Sequence, residues 1–195
     1  MKKLCDAVVP INAGDSDGNG VVVGNLLITA AHVANRFATL RVNINGDIYT
    51  LEKKDTILCI EENHNNKGLF YDCAIYLLPK YYNNLSISRT VPNIGCVLNS
   101  ISRKHLIINK PNSGIGVFAT TYNDDYKLYI SKATVVDVIG NFLVCNMDIP
   151  LEEGRSGSPL FFGEQVVGIL HGGINGKTCV FQLINSLAHR VLYKD

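Results

Sequence analysis

No stretch of this 195-residue sequence approaches the roughly 18 consecutive apolar residues of a membrane helix, which excludes a helical span. Charge of one sign is missing too. Lysine and arginine total 18 against 17 aspartates and glutamates, a net +1 that offers a polyanion no attractive field, so neither nucleic acid nor a membrane is expected as a partner. The six cysteines, at 5, 59, 73, 96, 145 and 179, form no CxxC pair, which argues against a zinc knuckle or a thioredoxin-like motif. Their number still allows three disulfides. Several sit inside apolar runs such as "TILCI" and "FLVCNM", however, and read as reduced, buried thiols in a cytoplasmic setting. The start, "MKKLCDAVVPIN", lacks the unbroken apolar core of a signal peptide because Asp6 and Pro10 interrupt it, so a non-secreted chain is expected. Internal repeats and low-complexity tracts are absent as well.

What the sequence does contain is a succession of short apolar runs punctuated by Gly, Asn and Asp: "GVVVGNLLITAAHV", "ATLRVNINGDIYTL", "DTILCIEEN", "DCAIYLL", "SGIGVFATTY", "YKLYISKATVVDVIGNFLVCNM", "PLFFGEQVVGILHGG" and "TCVFQLI". Many short strands at this spacing predict an all-β sandwich or a pair of antiparallel barrels. "NINGD" and "VIGNF" read as hairpin turns. Helical spacing occurs only in the tail, where Leu183, Ile184, Leu187, Val191 and Leu192 follow a 3.6-residue period and predict a short C-terminal helix. The polar segment 79–93 reads as a linker, dividing one domain into halves at 1–85 and 86–195.

Three stretches carry reactive chemistry. In "EEGRSGSPLFF", Gly154 and Gly157 flank Ser156 and allow a backbone turn tight enough to aim its own N–H groups at a substrate carbonyl. A plain Gly/Ser turn before a strand has the same composition. In "GNLLITAAHVAN", His32 follows an apolar strand, where an imidazole can accept a proton near neutral pH; a packed core histidine would look alike. In "FYDCAIYLL", Asp72 stands at the start of an apolar strand, suited either to orienting an imidazole or to capping that strand. His64, His105 and His189 have no acidic partner at metal spacing, and no metal or cofactor is expected.

Taken together and in order, "TAAHV", "DCAIYLL", "GRSGSP" and "VVGILHGG" resemble the trypsin/chymotrypsin-like double-β-barrel serine proteases, in the style of compact bacterial and viral members. The resemblance implies two antiparallel barrels and a peptide or protein substrate. It implies a triad of His32, Asp72 and Ser156, and an oxyanion hole from the N–H groups of Gly154 and Ser156. By register it also implies a substrate-facing set of Pro150, Leu151, Leu170, His171, Gly172, Gly173 and Cys179, a lining with no acid at its base and suited to uncharged, apolar or small side chains. Two departures stand out. The disulfide cysteines of secreted trypsins are missing, and Arg155 replaces the aspartate that pairs with a newly cut N-terminus in zymogen-type members; it is expected to point outward or to meet Glu152 or Glu153. Viral cysteine proteases of this fold carry Gly–Ile–His–x–Gly–Gly, whereas "GILHGG" displaces His171 by one residue and so to the other face of its strand. His171 is therefore expected to pack near Asp72 unless a bulge re-aims it. The rival readings are a trypsin-fold peptide-binding module without turnover and a viral-type protease that processes its own polyprotein.

Overall fold

A computed structural model describes residues 2–13, 16–36, 38–64, 69–106, 127–151, 154–185 and 187. Two seven-stranded sheets dominate it. The first contains β1 (Val8–Ala13), β2 (Ser16–Val23), β3 (Leu26–Thr29), β4 (Thr39–Ile44), β5 (Asp47–Glu52), β6 (Thr56–His64) and β7 (Leu69–Leu77), in the antiparallel order β5-β4-β1-β2-β3-β7-β6. The second contains β8 (Ser86–Ile87), β9 (Val97–Leu106), β10 (Lys127–Ile139), β11 (Phe142–Met147), β12 (Pro159–Phe162), β13 (Gln165–Gly173) and β14 (Thr178–Leu183). Its order is β12-β9-β10-β11-β14-β13-β8, and the additional β12–β13 pairing closes six of these strands into a barrel. The first sheet is a curled half-barrel, and the chain is all-β as its patterning predicts.

Side-chain alternation sorts residues among three cores. On β4 the sequence "TLRVNI" alternates exposed and buried, sending Leu40, Val42 and Ile44 into the first sheet's interior. All four residues of β3 are buried. Its Leu27 faces that interior, while Leu26 and Ile28 face a separate cluster shared with Ile101, Phe161, Val166 and Ile169 of the second sheet. This shared cluster joins the sheets. At about 1.5–3 kcal/mol for each large side chain fully withdrawn from water, it is enough to hold them face to face. A third cluster, including Leu98, Leu143, Leu160 and Phe181, fills the closed barrel.

The turns follow their residues. Asn45 and Gly46, both at positive φ, join β4 to β5, and Gly140–Asn141 joins β10 to β11. The run "GVVVGNLLITAAHV" is not one strand but a hairpin, β2–β3, followed by a helical turn. Two helices lie outside the sequence expectation: α1 (Lys2–Ala7), which buries Leu4 and Ala7 between the sheets, and the one-turn α2 (Ala31–Ala34). Of the tail helix expected from Leu183 onward, Leu183 is instead the last residue of β14, paired with Gly168, and most of the rest lies outside the described residues. The segment 79–93 is less featureless than its polarity suggests, since it carries β8, paired in parallel with β13, and buries Leu85 and Ser88. None of the described helices is long and apolar enough to cross a membrane.

Candidate active site

His32 lies on α2, whose small neighbours Ala30 and Ala31 are fully buried and let the turn sit directly on Ala74 of β7. No side chain of its own caps α2, which leaves first-turn N–H groups in want of acceptors. Asp72 of β7 supplies one from across the sheet: its Oδ1 accepts the His32 backbone N–H at 2.8 Å. Its Oδ2 lies 2.6 Å from His32 Nδ1. The carboxylate thus holds both the backbone and the ring of one residue, fixing the ring's position against rotation. Asp72 is in turn fixed by its own N–H, which donates to Gln182 Oε1 on β14 at 2.6 Å.

A second imidazole meets the same oxygen. His171 Nδ1 stands 2.6 Å from Asp72 Oδ2, with its ring edge-on to that of His32 (centroids 5.9 Å apart, 88° between planes) and tilted against Phe142. The β13–β14 register does shift between Leu170 and Gly172, so His171 is the bulged residue. Leu170 packs inside the closed barrel, and the next side chain faces the opposite way, toward Asp72. Burial alone would push the Asp72 carboxyl up, but hydrogen bonds from His171 and His32 outweigh it and hold the group well below the usual carboxylate range. Asp72 is therefore an anion at neutral pH despite being only 2 % exposed.

Ser156 occupies the turn between Leu151 and β12, and the first sheet holds that turn in place. Asn19 N–H donates to Ser156 O at 2.8 Å, and Asn19 Nδ2 donates to Gly154 O at 3.3 Å. Gly157 N–H donates to Leu170 O at 2.8 Å, and Ser158, fully buried, turns its hydroxyl onto Arg155 O at 2.6 Å. Gly157 has φ +82°, and a Cβ there would stand 2.0 Å from Asn19 O and 2.5 Å from Thr29 Oγ1. Only glycine fits this contact. Gly154 also has positive φ, and among the described residues neither its N–H nor that of Ser156 donates to a backbone carbonyl.

Arg155 departs from the first of its two expected positions. It does not point outward: it is 2 % exposed, with Nη1 donating to Pro150 O at 3.2 Å and its guanidinium 4.6 Å from the centre of the Tyr129 ring. Glu152 and Glu153 lie outside the described residues. Of the substrate-facing set, Pro150 is exposed and Leu151 half-buried, Leu170 and Cys179 are enclosed in the closed barrel, and Gly172 and Gly173 end β13, with Gly173 exposed. The side chains of His64 and His105 are not among those described, and His189 lies outside the described residues.

Asn19, Thr29 and Gln182 escape sequence reasoning. Each is a polar residue, at most 1 % exposed, on a strand that is otherwise apolar or glycine-rich. That contrast is the available signal, because a buried polar side chain needs a partner. Thr29 Oγ1 donates to Asn19 O at 2.7 Å. Among the described residues, His32, Asp72 and His171 are the one group of potential ligand side chains close enough to suggest a metal. Ligands of a tetrahedral zinc stand about 3.3 Å apart, however, given metal–ligand distances of about 2.0–2.1 Å. Contacts of 2.6 Å from each ring to Oδ2 have room for protons, not for an ion.

Two β-sheets, one closed into a barrel and one curled into a half-barrel, make the fold of the trypsin/chymotrypsin-like proteases, and this chain has that fold. No family model and no curated protein matches it. Among solved structures, it is similar to the Rv3671c protease of M. tuberculosis in its inactive form (17 % identity, 97 % of this chain and 89 % of that one, TM-score 0.64). A scabies mite inactivated protease paralogue is also similar (15 %, 97 % and 94 %, TM-score 0.68). So is the catalytically active tobacco etch virus protease complexed with product (14 %, 99 % and 79 %, TM-score 0.66). The fold thus hosts both active and inactivated proteins.

Proposed function

We propose that this chain is a serine endopeptidase that hydrolyses peptide bonds through an acyl-enzyme, with Ser156 as nucleophile, His32 as general base and Asp72 as the group that orients it. The observation that carries the reading is the double hold of Asp72 on His32. With Nδ1 on Oδ2 at 2.6 Å and the backbone N–H on Oδ1 at 2.8 Å, the ring is fixed in the tautomer whose basic atom is Nε2.

In the reaction, Ser156 Oγ gives its proton to His32 Nε2 as it attacks the carbonyl carbon, and Asp72 remains ionised while compensating the imidazolium. The N–H groups of Gly154 and Ser156 receive the developing oxyanion, each worth about 3 kcal/mol of barrier by analogy with other such donors. His32 then returns the proton to the leaving amine. Water repeats the sequence on the ester and regenerates Ser156. The exposed end of β13 at Gly172–Gly173 offers backbone groups on which an extended peptide can pair. Pro150 and Leu151, the accessible members of the set, carry no charge and favour an uncharged, apolar or small side chain before the cleaved bond, whereas Leu170 and Cys179 are enclosed in the closed barrel. The two sheets act as the halves of one protease domain. None of the six cysteines is joined in a disulfide.

Labelling with a serine-reactive phosphonate, mapping the adduct and profiling cleavage of a proteome-derived peptide library test this reading together. An adduct on Ser156 with cleavage after small or apolar residues is expected. A protein that binds peptides in the groove yet forms no adduct would belong with the inactivated members of the fold.

A further inference from the structure

We propose that His171 is a positioning residue that shares Asp72 with His32, making one carboxylate serve two imidazoles and coupling the strength of the base to the proton carried by the second ring. The proposal rests on the serine-protease reading and adds to it a residue outside the triad.

An ionised carboxylate only accepts hydrogen bonds. Two Nδ1 atoms at 2.6 Å from one Oδ2 must therefore both carry hydrogen, so each ring keeps its basic atom at Nε2. Oδ1 is already occupied by the His32 N–H, and Oδ2 by both rings. Asp72 cannot turn without breaking at least one of these contacts. His171 thus anchors the oxygen that orients the base.

The charge balance adds a second consequence. With both rings neutral the cluster carries one negative charge, which compensates one imidazolium and not two. During catalysis His32 must become an imidazolium. If His171 already holds a proton, the new cation forms 5.9 Å from an existing one, with their shared anion already balanced. At an effective dielectric constant of about 20, that repulsion slows the step by about 100-fold.

Among the described residues, the other groups near this pair are these. Of the elements packed against His171 among the described residues, β7 brings Asp72 together with Tyr71 and Cys73, and α2 brings His32. β6 brings Cys59 near Asp72, and Glu61 directly opposite Asp72 across the sheet, its carboxylate accepting from Asn35 Nδ2 at 2.6 Å. β11 and β14 contribute Phe142 and Gln182, which do not titrate. Burial pushes the thiols of Cys59 and Cys73 up, leaving them neutral over the range in which histidines change charge.

The test compares wild type, His171→Asn and His171→Phe. Asparagine places Nδ2 where Nδ1 stood and keeps the donor without a titrating ring, whereas phenylalanine keeps the ring and loses the donor. Three results are expected. His171→Phe lowers kcat by about tenfold or more with KM within about twofold, the pattern of a lost transition-state interaction. His171→Asn restores most of kcat. The acid limb of kcat/KM falls in two separate one-proton steps in wild type, because the shared anion is already balanced when the second proton arrives, and in one step in both variants.

Imidazole proton and nitrogen resonances of the resting protein give an answer independent of turnover: two hydrogen-bonded Nδ1–H signals, with the His171 signal missing in His171→Asn and both moved in Asp72→Asn. A single such signal in wild type overturns the proposal. So does a wild-type acid limb that falls in a single step, or wild-type kcat in His171→Phe with native thermal unfolding. A wild type that neither hydrolyses peptide nor takes the phosphonate at Ser156 overturns the protease reading instead, and the resonances still decide whether the two rings share Asp72.

Discussion

Replacing Gly157 with alanine tests whether the first sheet holds the loop of Ser156 in place. The new Cβ would stand 2.0 Å from Asn19 O, a buried backbone atom, and 2.5 Å from Thr29 Oγ1, so the loop must retreat by about 1 Å or more. At φ +82°, alanine also incurs about 1–2 kcal/mol of left-handed strain. The retreat breaks the bond from Asn19 N–H to Ser156 O and disturbs that from Thr29 Oγ1 to Asn19 O, at about 1 kcal/mol each. Together these disfavour the docked loop by about 3–4 kcal/mol, a factor of 100 or more in its population. Phosphonate labelling of Ser156 should slow by about two orders of magnitude. Gly163→Ala is the control: its φ is +60° and nothing lies within 4 Å, so it carries the strain without the collision. It should lower the unfolding temperature by a few degrees and leave labelling unchanged. Labelling of Gly157→Ala within about threefold of wild type, or an equal loss in Gly163→Ala, would refute the argument.

Ser156→Ala should abolish the adduct and hydrolysis with the fold intact, whereas Ser158→Ala, which removes a buried bond to Arg155 O, should cost about 1 kcal/mol in a urea titration and keep the adduct. Asp72→Asn should lower turnover by about four orders of magnitude in a steady-state assay. The Asp72 carboxyl is held below its ordinary value of 3.8, so its stabilising effect is complete above that pH and drains away as pH falls toward the depressed value. Urea titrations from about pH 5 down to 2 should therefore show a steeper loss in wild type than in Asp72→Asn. Mass spectrometry after alkylation of the native protein should find Cys5, Cys59 and Cys96 modified before buried Cys73, Cys145 and Cys179, the last two with thiols pushed up to about 12 and about 11.

Strands and hairpins were legible wherever a local rule acts alone. Alternation in "TLRVNI" and the Asn–Gly of "NINGD" each determine their structure within a few residues. The rule fails for β2 and β3, because a strand buried on both faces does not alternate and the hairpin between them looks like one apolar run. α1 and α2, at six and four residues, are too short to display a helical period. Within the site, the face of His171 followed from strand parity, because Leu170 turns into the closed barrel and the next residue turns out of it. That it would share an oxygen with His32 did not follow, since that depends on how β7 and β13 are brought together across the two sheets.

Arg155 shows why charge is a poor guide to burial at such a site. As a charged residue in a polar turn it reads as solvent-facing, yet it lies beneath the loop with its guanidinium over Tyr129 of β10 and one N–H on Pro150 O. A planar cation can do both at once, stacking on an aromatic face while donating in its own plane, which an ammonium cannot. The residue therefore ties the two ends of the segment 150–155 to the closed barrel from below, while Asn19 ties Gly154 and Ser156 to the first sheet from the other side. The two attachments belong to different sheets, so the loop keeps its shape only while the sheets stay packed. Arg155→Lys should then behave like Arg155→Met rather than like wild type, losing about 2–3 kcal/mol in a urea titration together with most phosphonate labelling. A lysine variant with wild-type labelling and stability would mean that the position requires only a positive charge, and that the stacking and the directed bond contribute nothing to the order of the loop.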